Sequence, residues 1–216
     1  EQTADSISLE VSDIKANVYT KSEVDSAIGN IQVGGRNLIR NSGHFKDTTY
    51  WRSNGADSFS LDTTVLYLGQ YNTLKVVNTD TKKGGIMGDS YNNLVKINPN
   101  VEYTYSILVK PSVDITANSN TLHMHGFWDG QTNLHSYQTV KYKGSVKAGS
   151  WGIISRTFKI SHTDESVNYY FRPIPFYSVV GTFNIAYVKL EKGNKATDWT
   201  PAPEDVEAYA EQKARE

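Results

Sequence analysis

The sequence predicts an all-β fold, an antiparallel β-sandwich of the jelly-roll kind, flanked by short N- and C-terminal helices. Three observations predict it. Between Asn37 and Leu190, apolar residues recur at every second position over short stretches, the period of a half-buried strand. Turn-forming residues punctuate these stretches and no long helical period runs through them. The aromatic residues, 4 Trp, 14 Tyr and 7 Phe, all lie between Phe45 and Trp199 apart from Tyr19 and Tyr209. Aromatic rings supply much of a compact core's buried area, so the core belongs to the middle of the chain.

The 216 residues are room for one domain or one and a half. They divide into a helical or coiled-coil linker arm over 1–34, the sandwich over 35–200 and the start of a linker helix over 201–216. In the arm, Ile7, Val11, Ile14 and Val18 follow the seam of a short coiled coil, while Ile7, Leu9 and Val11 also alternate as a strand would. A helix from Val11 onward is expected. Thr20 and Glu23 then have capping-box spacing, with Val24, Ile28 and Ile31 on one helical face, and Gly34-Gly35 ends the pattern. Such short helices need a partner, because isolated ones are marginal in water.

Within the sandwich, Tyr103, Tyr105, Ile107 and Val109 alternate with Thr104, Ser106 and Leu108. Phe158 and Ile160 alternate with Thr157 and Lys159. Phe183, Ile185 and Tyr187 do the same, with a bulge-like phase shift near Val188 to reach Leu190. Further strands are expected at Ser58–Leu61, Thr73–Val77, Leu122–Trp128, Gln138–Tyr142 and Asn168–Arg172. Asn98-Pro99-Asn100, Asp129-Gly130, Lys143-Gly144, Lys147–Ser150 and Gly193-Asn194 separate them. Beyond Trp199, Thr200-Pro201-Ala202-Pro203 is a stiff connector. Glu204 and Asp205 suit a first helical turn, followed by Val206 and Tyr209 or Ala210. Two readings of this tail stand: the start of a longer rod, or a terminal helix packed on the domain. The chain starts at Glu1 and reads as a piece of a longer protein or a processed product.

Composition excludes several functions. A net charge of −1 provides no basic field for nucleic acid. With no cysteine, there are no disulfides, no Cys-based zinc sites and no thiol catalysis. No run approaches the apolar length of a membrane-crossing helix. No nucleophile elbow, H-E-x-x-H or P-loop spacing occurs, and no carboxylate pair for glycoside hydrolysis stands out. His123 and His125 could hold a metal from one strand face with Asp129 or His135 as a third ligand, but nothing in the sequence fixes that geometry, and a polar surface pair is the better reading. The chain is read as a non-enzyme without a cofactor.

A binding site is better supported. Flat rings stack on the C–H faces of sugars, while planar polar groups read the hydroxyls. The stretch His125–Tyr137 holds both kinds and runs from a strand end into a loop. Taking Leu122 and Met124 as core turns His123, His125 and Phe127 outward, and taking Tyr169 and Phe171 as core turns Asn168, Tyr170 and Arg172 outward. The candidate carbohydrate-binding residues are Trp51, His123, His125, Trp128, Asp129, Tyr137, Tyr170 and Arg172. Trp128 and Tyr137 would stack, and the polar members would read hydroxyls. Trp51 has a second reading as a plug closing one end of the sandwich. Trp151 is expected in the core, and Trp199 where the chain ends meet.

Gly35-Arg36-Asn37-Leu38-Ile39-Arg40-Asn41-Ser42, followed by Phe45 and Trp51, resembles the start of the carbohydrate-binding jelly rolls found in glycanases and phage tail proteins. Trp151–Phe158 resembles their late core strand. Val188–Asp205 resembles the exit of such modules in tail-tip and antireceptor proteins of phages of Gram-positive bacteria, and Tyr19–Val24 resembles tail-fibre linker helices. The resemblance implies a galactose-binding-like sandwich that binds host cell-wall polysaccharide during adsorption. It implies a place in the virion, acting at the host cell surface. Helical flanks would join it to the rest of a tail protein, often as a homotrimer. Such modules often carry a structural calcium near their first strand. Here Asn41, Ser42 and Asp47 stand there without an acidic cluster, so calcium is compatible and not required.

Overall fold

In a computed structural model, the structure describes residues 34–82, 84–88, 93–116, 123–129, 133–134, 142–160 and 168–215, with 123–129 and 133–134 described by backbone alone. The chain divides into two units, Glu1–Gln32 and Val33–Glu216, and the described residues all lie in the second. The expected arm helices and residues 138–141 fall outside them.

The strands, in chain order, are β1 (Trp51–Ser53), β2 (Ser58–Tyr67), β3 (Tyr71–Asn78), β4 (Ile86–Gly88), β5 (Val95–Ile97) and β6 (Glu102–Pro111). They continue as β7 (His123–Asp129), β8 (Asn133–Leu134), β9 (Gly152–Lys159), β10 (Tyr169–Tyr177) and β11 (Gly181–Lys192). A helix, α1, spans Pro203–Lys213. One sheet has the order β2-β3-β11-β6-β9, a second the order β5-β10-β7-β8, and β1 pairs with β4. All these pairings are antiparallel.

The two larger sheets face each other across an aromatic core. Phe171 of β10 meets Tyr105 of β6 at 4.9 Å between ring centroids and Phe158 of β9 at 5.5 Å. At the other end, Phe176 stacks on Phe183 at 4.0 Å. Tyr103, Tyr105, Ile107 and Val109 are all buried, as their alternation predicts.

The bulge in β11 falls earlier than the sequence suggests. Register shifts between Ile185 and Tyr187, so Val188 and Leu190 face Ile107 and Tyr105 while Tyr187 lies opposite Leu108. Tyr187 is therefore on the outer face, not in the core. One inserted residue reverses every later side chain of a strand, because the strand period is two.

Helix α1 starts as expected, with Pro at its first positions and Glu204 and Asp205 in its first turn. That turn is tied to the sandwich by hydrogen bonds and ion pairs, and Lys46 Nζ lies over the Tyr209 ring at 4.6 Å. Asp205 accepts from Arg40 Nε at 3.0 Å and from the Asn41 backbone N–H at 2.7 Å, and Glu204 pairs with Arg36. No helix side chain is buried, and Val206 and Tyr209 are 52% and 50% exposed.

Candidate functional site

The face of the four-stranded sheet that points away from the core carries one complete row. Lys96 of β5, Tyr170 of β10, Trp128 of β7 and Leu134 of β8 are successive register partners. Directly opposed residues of antiparallel strands share a face. Phe171 is fully buried against the other sheet, so the row through Tyr170 lies on the outer side, and Tyr170 is half-buried there. The structure thus brings positions 128 and 170 together. The side chains of His123, His125, Trp128 and Asp129 are outside the description, and Tyr137 lies outside the described residues altogether.

Several candidate residues are not placed to face a ligand. The backbone register sets His125 opposite Pro173, Phe127 opposite Phe171 and Asp129 opposite Tyr169. Positions 125, 127 and 129 therefore share the core-side face, and 128 shares the outer one. Arg172 lies in the outer row but is only 7% exposed, with Nη1 3.7 Å from Met87 Sδ. It is covered, not presented to a ligand. Trp51 is 6% exposed in the core, and its indole N–H donates to the Asn41 carbonyl at 2.7 Å. Its ring faces are closed to stacking, which is the plug reading.

The outer face of the five-stranded sheet is built differently. The leading segment and the closing segment meet on it. Asn37 is fully buried: its amide donates to Ser42 Oγ at 2.7 Å and to the Thr200 carbonyl at 3.0 Å, and its oxygen accepts from the Ile39 N–H. Ser42 Oγ also accepts from the Trp199 indole N–H at 3.2 Å. The sequence motifs that frame the domain are thus the two halves of one hydrogen-bonded latch. Gly43 is required there, because a Cβ would stand 2.7 Å from the Trp199 ring.

Beneath the closing segment, Lys189 and Glu191 form a fully buried ion pair at 3.3 Å. Lys189 Nζ donates to Thr197 Oγ1 and the Asp198 carbonyl, both at 2.6 Å, and Glu191 accepts from the Thr197 N–H and hydroxyl. Farther along the same face, Asp62 accepts from Thr64, Val65 and Asn184. Burial opposes its ionisation. The Thr64 hydroxyl, the Val65 and Thr64 N–H groups and the Asn184 amide outweigh that and hold the carboxyl well below its ordinary range.

Between these polar clusters runs a strip of half-buried rings that the sequence analysis missed. Tyr67 at the end of β2 meets Trp151 edge-on at 5.3 Å. Tyr187, turned out by the bulge, lies beside Gly43, which also abuts Trp199. His44 stacks on Tyr71 at 3.5 Å and tilts against Trp199 at 4.5 Å. Trp151, expected in the core, is half-exposed. The Tyr187 hydroxyl is pushed up to about 12 by burial, reinforced by Tyr67, Asp198 and Glu191. The available signal was the two-fold pattern of β11, which does not say where its phase changes.

The residues near the first strand do not fit calcium as they stand. The Asp47 carbonyl, Asp47 Oδ1 and the Thr49 carbonyl converge on Asn41 Nδ2, a hydrogen-bond donor, and the Asp205 carboxylate is engaged by the Asn41 N–H and Arg40. Among the described residues, no cluster of three or more His, Asp or Glu side chains forms a metal site.

No family model matches the chain, and no curated protein matches it. Among solved structures, it is similar to a Family 16 carbohydrate-binding module, at 16% identity over 71% of this chain and 99% of that one, with a TM-score of 0.45. It is also similar to the second N-terminal cellulose-binding domain of Cellulomonas fimi β-1,4-glucanase C, at 13% identity over 76% of this chain and 99% of that one, with a TM-score of 0.46. A third is the Clostridium thermocellum xylanase 10B carrying CBM22-1 and GH10 modules, at 15% identity over 73% of this chain and a TM-score of 0.46; this chain spans only 29% of it. At these values the likenesses assign no ligand or activity. What the residues themselves establish is a mostly β protein with antiparallel sheets and a short helix among its described residues.

Proposed function

We propose that the 33–216 unit is a non-catalytic saccharide-binding module. We further propose that it serves in a phage tail adhesion protein and recognises host cell-wall polysaccharide during adsorption. The observation that carries the binding reading is the Lys96–Tyr170–Trp128–Leu134 row across the outer face of the four-stranded sheet. It sets two ring-bearing residues side by side on adjacent strands, at Cβ separations of about 5 Å. That spacing suits stacking on a sugar, with Lys96 flanking to meet hydroxyls or an acidic substituent. The placement in a tail protein is supported by the leading and closing motifs and by α1, on which Val206 and Tyr209 are exposed. In a trimer, several weak sites would act together through effective concentration.

The test is labelling of intact Gram-positive cells with the fluorescently tagged full chain, before and after chemical removal of wall polysaccharide. Labelling should vanish with the polysaccharide and fall about tenfold in Tyr170→Ala, roughly the scale of one lost ring contact. Labelling that survives stripping points to a protein or teichoic-acid receptor. No labelling on any candidate host favours the second reading, a spacer module of the tail without a sugar site. The burial of Trp51 and Arg172 is what speaks for that reading.

A further inference from the structure

We propose that the strip Trp151–Tyr67–Tyr187–Trp199 is a second saccharide-binding surface, taking a neutral pyranose chain on the side of the sandwich opposite Tyr170. It rests on the saccharide-binding reading of the domain. Two local irregularities create the strip. The β11 bulge turns Tyr187 out of the core. The β2–β3 turn, closed by Gln70 N–H to the Tyr67 carbonyl at 3.2 Å, holds Leu68 at φ +52 and Gly69 at φ +69. Positive φ at both central residues is what a hairpin turn of the primed type requires, and Leu68 at its tip is 68% exposed. The turn presents Tyr67 to Trp151 from the far edge of the same sheet.

The strip has the parts a sugar needs. Trp151, Tyr67, Tyr187 and Trp199 are each half-buried, above a floor that includes buried Leu108. The edge-on contact of Tyr67 with Trp151, at 70° between planes, leaves ring surface for a C–H face to stack on. The Tyr187 hydroxyl and the exposed Asp198 carboxylate offer a donor and acceptors beside those rings. Glu191 is neutralised by Lys189, and Asp198 adds a negative charge with no ion pair among the described residues, so an acidic sugar is repelled and a neutral one preferred. An apolar protein surface laid here would have to desolvate Asp198 and the Tyr187 hydroxyl.

The 4 tryptophans give each surface its own reporter. The full chain labelled with 5-fluorotryptophan is titrated with cellohexaose, xylohexaose, neutral polysaccharide stripped from Gram-positive walls, and a polyuronate, with fluorine NMR as readout. At least one neutral glycan should shift the Trp151 and Trp199 signals and the polyuronate should not. Tyr170→Ala should leave those shifts in place while removing the shift of Trp128. Trp151→Ala and, more gently, Tyr187→Phe should weaken the strip's binding roughly three- to tenfold. If neutral glycans move Trp128 but never Trp151 or Trp199, the second surface is wrong and the first stands. If Trp151 and Trp199 move on concentrating the protein alone, the strip is a self-association face and the proposal falls. If no tryptophan responds to any glycan, the saccharide reading falls with it.

Discussion

Both faces of the five-stranded sheet carry fully buried residues, and they are buried by opposite chemistry. On the inner face, Leu74, Val76, Tyr105, Ile107, Ile185, Val188 and Leu190 are all 0% exposed. On the outer face, Thr73, Lys189 and Glu191 are also 0% exposed, and Thr104 is 2% exposed. The inner face is held by non-directional burial, which tolerates many side chains of suitable size. The outer face is held by groups with named partners. Thr104 Oγ1, for example, donates to the Gly193 carbonyl at 2.8 Å and so fixes the turn that follows β11. The lesson is that the inner face makes the sandwich, while the outer face decides where the leading and closing segments lie. It thereby frames the aromatic strip between them.

The comparison breaks most sharply at one residue on each face. Phe171→Ala removes the ring at the centre of the inter-sheet core and should cost about 3–5 kcal/mol in denaturant unfolding. Lys189→Met should cost a similar amount, about 3–5 kcal/mol, because it leaves the Glu191 carboxylate buried without its counter-ion. The double change Lys189→Met with Glu191→Leu should recover most of that loss if the pair acts through mutual compensation. A double variant as unstable as the single one would show that the contacts to Thr197 and Asp198 carry the stability.

A smaller effect sharpens the account of the outer face. Asp62 has its carboxyl held low, so its contribution is present above the unfolded carboxylate value, about 3.9, and is lost as pH falls below it. Asp62→Asn should be less stable than the wild type near neutrality. The gap should narrow as pH is lowered from about 4 towards 2. A gap independent of pH would mean that shape, not charge, matters there. Tyr187 has the opposite sense. Its proton is retained in the fold up to about 12, so stability should decline above the unfolded tyrosine value of about 10. Tyr187→Phe should blunt that alkaline decline. The smallest effect belongs to the exposed Arg36–Glu204 pair, where Arg36→Ala should cost no more than about 1 kcal/mol.

Much of the fold was legible because alternation is a local property. The strand through Tyr103–Val109, the core role of Phe171 and the helix opening at Pro203 could all be read from neighbouring residues. The candidate site was legible only in part. Tyr170 was placed on the correct face, but Arg172 was not known to be covered, since groups distant in the chain lie against it, Met87 among them, 85 positions away. Trp51 takes the plug role, one of its two readings, whereas Trp151, expected in the core, lies on the outer face. A tryptophan looks alike in sequence whether it plugs a core or lies half-open on a sheet.

By itself, then, the sequence determined the class of fold, the extent of the aromatic core and the motifs at its two ends. Each depends on spacing along the chain, which backbone geometry converts directly into faces and turns. Only the tertiary structure decided that the end motifs grip each other through Asn37, Ser42 and Thr200. It also decided that a pair of opposite charges lies under the closing segment, and that a one-residue bulge carries Tyr187 to the outer face. Those outcomes depend on which distant segments meet, and on where register slips by one residue. A local period of two cannot encode either.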